Sequence, residues 1–198
     1  SMKSGRFKNP RTWFLLVVVC FLTCSLPVAC NQEDPISLVE RLEEQIRANP
    51  DDVKTHFGLG VAYGNRGRYK EAAESYKEAI HIKPDYAGAH LGLGWAYVWL
   101  GRYDEAIEVF KQVIRINPDD AEAHYNLGIV YRKLGRDKEA IEAYKEAIRI
   151  NPDDIDVHNN LGAAYFSLGD KDAALDEYKI LKDLDREVAN ELFNLIYE

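Results

Sequence analysis

Beyond Cys30 the chain contains no cysteine, although Cys20, Cys24 and Cys30 lie close together near its start. Residues 31–198 can therefore hold neither a disulfide framework nor a cysteine-based zinc site. Glycine (13) and proline (7) are too few among 198 residues to signal low complexity or disorder. A glycine-rich phosphate loop, a nucleophile elbow and a His-Glu-x-x-His pair are also missing. Those are the usual marks of nucleotide, acyl-transfer and metalloprotease chemistry. The chain does not read as an enzyme: no catalytic residue, no metal and no cofactor is expected.

Acid is absent from the first 32 residues, where Lys3, Arg6, Lys8 and Arg11 are all basic. An unbroken apolar run from Trp13 to Leu22 follows, then a smaller, mixed stretch from Thr23 to Ala29. Basic, apolar, then small is the layout of a secretory signal. Trp13 to Ala29 falls short of the roughly 20 apolar residues a spanning helix needs and carries Pro27 near its end. Residues 1–29 are thus read as a cleaved signal, with an uncleaved anchor as the alternative, and Ser1 ahead of Met2 as a cloning remnant. With four bases and no acid in that segment, residues 30–198 carry a formal charge of −12, against −8 for the whole chain. An acidic body argues against nucleic acid and against lying flat on anionic lipid.

Leu26-Pro27-Val28-Ala29-Cys30 resembles the lipobox at which bacterial lipoprotein signals are cut. Val28 and Ala29 fit that pattern; Pro27 stands where leucine is usual. The resemblance implies lipidation of Cys30 and tethering on the extracytoplasmic, periplasmic side of the bacterial cell envelope. The alternative is an incidental cysteine at an ordinary cleavage boundary or just past an anchor. Asn31, rather than aspartate, leans toward an outer membrane.

The body repeats with a period of 34 residues in four tandem copies: 53–86, 87–120, 121–154 and 155–188. Leu59, Leu93, Leu127 and Leu161 form one column, each followed by glycine, with Tyr63, Tyr97, Tyr131 and Tyr165 three residues beyond that glycine. Gly67, Gly101, Gly135 and Gly169 form another. Ala72, Ala106, Ala140 and Ala174 precede Tyr76, Phe110, Tyr144 and Tyr178, and Pro84, Pro118 and Pro152 end the first three copies. Each half-repeat has helical periodicity closed by Gly or Pro, so two antiparallel helices per copy are predicted. The Asn-Pro-Asp-Asp runs at 49–52, 117–120 and 151–154 break one helix and offer an aspartate N-cap to the next.

These columns resemble the tetratricopeptide repeat (TPR) family. The resemblance implies an all-α fold, a right-handed α-solenoid of helix-turn-helix repeats. Atypical ends should cover the stack. Residues 30–52 are read as a tether and a lone capping helix whose stripe is Leu38, Leu42 and Ile46. Residues 186–198 are read as a closing helix with Val188, Leu192, Leu195 and Ile196. The fourth copy departs from the pattern, with Leu181 for a small residue and Arg186 for proline.

His56, His90, His124 and His158 share a column where the family often has tryptophan. Repeat-related positions make a ladder, with neighbouring helices about 8–10 Å apart, so a packing role is expected rather than a metal site. In this family the first helix of each repeat lines a concave groove for peptides or partner helices. Mapped by register, the groove holds Phe57, Leu91, Tyr125 and Asn159, then Val61, Trp95, Ile129 and Ala163. Next come Gly64, Val98, Arg132 and Phe166, then Asn65, Trp99, Lys133 and Ser167. Trp95 and Trp99 are four apart and share one helix face. Asn126 and Asn160 resemble part of the asparagine ladder of O-linked N-acetylglucosamine transferase, broken here by Gly58 and Gly92. The basic and asparagine set of the carboxylate clamp is absent, which argues against a chaperone tail.

A non-catalytic protein-interaction scaffold is therefore expected. Its partner should be a protein or peptide segment with large apolar residues, held by Phe57, Val61, Leu91, Trp95, Val98, Trp99, Tyr125, Asn126, Ile129, Arg132, Lys133, Asn160 and Phe166. Membrane contact should come only through the N-terminal lipid or anchor. Two other readings stay open: a self-assembling homo-oligomer, and an accessory subunit of an envelope enzyme complex.

Overall fold

A computed structural model describes residues 35–197; the signal, the tether through residue 34 and Cys30 lie outside the described residues. Ten helices and no strand occur among them: α1 (Pro35–Ala48), α2 (Val53–Gly64), α3 (Tyr69–Ile82), α4 (Ala87–Trp99), α5 (Tyr103–Ile116), α6 (Ala121–Lys133), α7 (Asp137–Ile150), α8 (Ile155–Ser167), α9 (Lys171–Leu184) and α10 (Arg186–Tyr197). Each packs on its chain neighbours, and the first helices of repeats one and two, and of three and four, touch as well, which makes an α-solenoid. None of these helices is long and apolar enough to cross a membrane.

Within a repeat the reversal falls on a glycine at φ +71° (Gly67), +72° (Gly101), +69° (Gly135) or +80° (Gly169), a conformation that side chains disfavour. In the first three repeats the next residue is an arginine that covers the tyrosine of its own repeat. Arg68 lies 4.4 Å from the Tyr63 ring, Arg102 4.4 Å from Tyr97 and Arg136 4.6 Å from Tyr131. Each also pairs with a glutamate three residues on. The fourth repeat has Asp170 there, which caps α9 by accepting from the Ala173 amide.

Between repeats, Asp52, Asp120 and Asp154 accept from amides in the first turns of α2, α6 and α8. The histidine column adds a second tie. Nε2 of His56, His90, His124 and His158 lies 2.8, 2.8, 3.0 and 2.7 Å from the carbonyl oxygen of the proline six residues earlier. The ladder thus fastens each first helix to the turn that precedes it.

The core is built from aromatic rings laid on glycines. A methyl on Gly60 or Gly92 would meet the Tyr76 ring at 2.6 or 2.5 Å, so that ring fills the space between two successive first helices. Phe110, fully buried, lies on Gly94 in the same way, and such burial stabilises by about 2–3 kcal/mol per ring. The ends are closed by α1 and α10. Val39, Leu42 and Ile46 seat α1 on the first repeat, and the Tyr63 hydroxyl donates to Glu43. At the far end Leu192 of α10 lies over Gly162, where the repeat pattern would have placed Tyr178. Tyr178 turns instead toward Phe193, 5.4 Å between ring centres.

Candidate interaction face

The predicted groove residues divide into three groups. Phe57 is half-buried between Tyr76 and Tyr86, with ring centres 5.7 and 5.2 Å away. Leu91 and Ile129 lean on the core, and Phe166 on the smaller core at the C-terminal end. Val98 and Asn126 are buried, at 7% and 2% exposure, and offer no surface to a ligand. Val61, Trp99 and Lys133 are exposed.

The two tryptophans part company. Trp95 sets its edge against Phe110, 6.2 Å between centres, and is half-buried. Trp99 is 65% exposed and stacks flat on Tyr69 of α3, 5.5 Å apart at 9°. Tyr69 was not among the predicted groove residues. The signal lay in its column, which reads Tyr69, Tyr103, Asp137 and Lys171, aromatic only in the first two repeats.

Repeats three and four carry a polar network instead. The Asn160 amide donates to the Tyr125 hydroxyl (3.2 Å) and to the Asp156 carbonyl (2.8 Å), and its oxygen accepts from Arg132 (3.3 Å). Burial, aided by Asp156 and Asp154, pushes the Tyr125 phenol up to about 12, so it stays protonated. Asn160 is thereby engaged within the fold, while the Asn126 amide nitrogen is buried without a partner. The Asp137 carboxylate forms an ion pair with Arg132 at 3.9 Å. No group of three His, Cys, Asp or Glu placed to hold a metal occurs among the described residues.

Models of the tetratricopeptide repeat match residues 91–155 and 143–176, and one of the TPR repeat matches 65–99. A crystal structure of MamA is 30% identical, covers 77% of this chain and 89% of its own, and superposes with a TM-score of 0.72. The chain belongs to the tetratricopeptide repeat family. MamA AMB-1 is 29% identical over 77% of this chain and 90% of its own, with a TM-score of 0.68. MamA from Desulfovibrio magneticus RS-1 (residues 41 to the end) shares the fold at 22% identity, covering 89% of this chain and 95% of its own, TM-score 0.73. No curated protein sequence matches the chain. As a TPR solenoid, the molecule has the fold of a protein-interaction scaffold, one that is typically non-catalytic.

Proposed function

We propose that the concave face of the first two repeats holds a segment of a partner protein, and that Cys30 tethers the solenoid to the bacterial envelope. The observation that carries the first part is Trp99, a large ring left 65% exposed yet fixed in place by Tyr69. An exposed, pre-oriented tryptophan is the commonest kind of binding hot spot. Val61 extends the apolar surface, and Arg132 and Lys133 favour an acidic residue further along the bound segment. The tether rests on the lipobox resemblance at 26–30 and on the acidic body, which gives anionic lipid nothing to attract.

The test of the groove compares native protein with a Trp95→Ala/Trp99→Ala variant, both shown helical, as baits for detergent-solubilised envelope. Proteins held by the native bait and lost from the variant support the reading, and equal retention on both overturns it. For the tether, Cys30→Ser should release the protein from the membrane fraction and remove the lipid mass from its N-terminal peptide. An unchanged distribution and mass would refute it.

A second reading is favoured by one feature: Phe193 and Tyr197, one turn apart with ring centres 4.5 Å from each other, leave an apolar patch exposed on the closing helix. An apolar end on a solenoid suits pairing with another copy. A mass independent of concentration would exclude that reading.

A further inference from the structure

Repeats one and two meet over a cavity of about 600 Å³ whose floor is Leu59, Tyr63, Ala73, Ser75 and Leu100. The register explains why it is open. Ala73 stands where later repeats have Ile107, Ile141 and Leu175, and Ser75 where repeat two has Val109. Ile107 and Ile141 are buried core residues, so the larger side chains occupy the equivalent ground at the following junctions.

The rim carries Lys70, Glu71, Glu74 and Arg102. Three of these charges are already engaged: Glu71 with Arg68 at 2.8 Å, Glu74 with Lys77 at 2.7 Å, and Arg102 with Glu105. Lys70 makes no ion pair among the described residues, and repeat two has Asp104 at that register. An apolar floor with Lys70, a cation outside the ion pairs, at its rim suits an apolar group with a carboxylate beside it.

We propose that this cavity is a second docking site, which takes one large apolar side chain of a partner polypeptide while a neighbouring carboxylate of that polypeptide meets Lys70. The site is reached from the edge made by the start of α3 and the α4–α5 turn. It uses none of Trp95, Trp99, Arg132 or Lys133, so it stands or falls apart from the concave face.

The test titrates the full chain calorimetrically with the acetylated, amidated pentapeptide Gly-Glu-Trp-Glu-Gly. Saturable one-to-one binding is expected, lost when alanine replaces the peptide's tryptophan and weakened when lysine replaces its glutamates. The variant Ala73→Ile/Ser75→Val copies repeat two, should keep the helical content and melting temperature, and should bind about tenfold more weakly or worse. Lys70→Glu changes only an exposed residue and should weaken binding of the acidic peptide while tightening that of the lysine-bearing one. Absence of saturation would overturn the proposal, as would native-like affinity in the filled variant. Loss of binding in Trp95→Ala/Trp99→Ala but not in the filled variant would also overturn it, since the peptide would then sit on the concave face.

Discussion

Nδ1 of His158 lies 2.6 Å from the Glu177 carboxylate while its Nε2 lies 2.7 Å from the Pro152 carbonyl. When protonated, the imidazole can donate to both acceptors at once, one from each ring nitrogen. The other repeats have Ser75, Val109 and Ala143 at the register of Glu177, so only the last repeat has this pair. Both side chains are largely buried, which strengthens the contact.

A pH dependence follows. The Glu177 hydrogen bond above all raises the His158 pKa, against the opposing effect of burial, with the Pro152 carbonyl and Asp154 adding to the rise. Because the folded value is raised, the stabilisation is fully present below the unfolded value of roughly 6.5 and disappears as pH climbs through the folded value. Urea midpoints should therefore fall between pH 6 and pH 9. Glu177→Gln should cost about 2 kcal/mol at pH 6 and flatten that profile. Parallel profiles for the two proteins would show that the pair is not charged.

Glycine substitutions should separate by register. Ala at Gly60 places a methyl 2.6 Å from the Tyr76 ring, and that ring cannot retreat because Gly92 lies on its other side. Gly60→Ala is expected to destabilise by about 1–3 kcal/mol. Gly64→Ala on the same helix meets nothing within 4 Å and should be neutral or stabilising by up to about 1 kcal/mol. Thermal melts of the two variants decide it; similar shifts would remove the ring-on-glycine account of the core.

The histidine ladder predicts a graded loss. His90→Phe keeps a ring at a buried position but removes the donor to the Pro84 carbonyl. It should cost about 1 kcal/mol, because that carbonyl sits near solvent and water can replace the donor. His124 lies at a more open site, so His124→Phe should cost less. Chemical denaturation of both variants measures the difference.

The fold was legible because its determinants are local and repeated. Gly67 and its counterparts mark the positive-φ turns, and Asp52, Asp120 and Asp154 mark helix starts. The face was less so. A column says where a residue stands along the repeat, but not whether its neighbour covers it. Val98 shares a column with the half-exposed Arg132 yet is buried, and Trp99 needed Tyr69, a residue of the preceding repeat, to be held. The closing helix hid a substitution of a different kind. Tyr178 fits the repeat pattern in sequence, and Leu192 takes its expected place on Gly162.

That exchange can be tested by a double-mutant cycle. Leu192 is 1% exposed, and removing its side chain should cost about 2–5 kcal/mol. Gly162→Ala should also destabilise the native protein, since the added methyl would stand 2.5 Å from a Leu192 methyl. In the Leu192→Ala background the leucine methyls are gone and only the Glu177 Cβ, 3.2 Å away, still crowds that methyl, so Gly162→Ala should there cost less than in the native protein. The coupling expected between the two sites is about 1–3 kcal/mol. Hydrogen exchange should localise the Leu192→Ala defect to α8–α10, leaving α2–α5 protected. Additive costs would mean that the two residues do not share this contact, and α10 would then close the stack through Val188, Ala189 and Ile196 against Ala174 and Leu181 of α9.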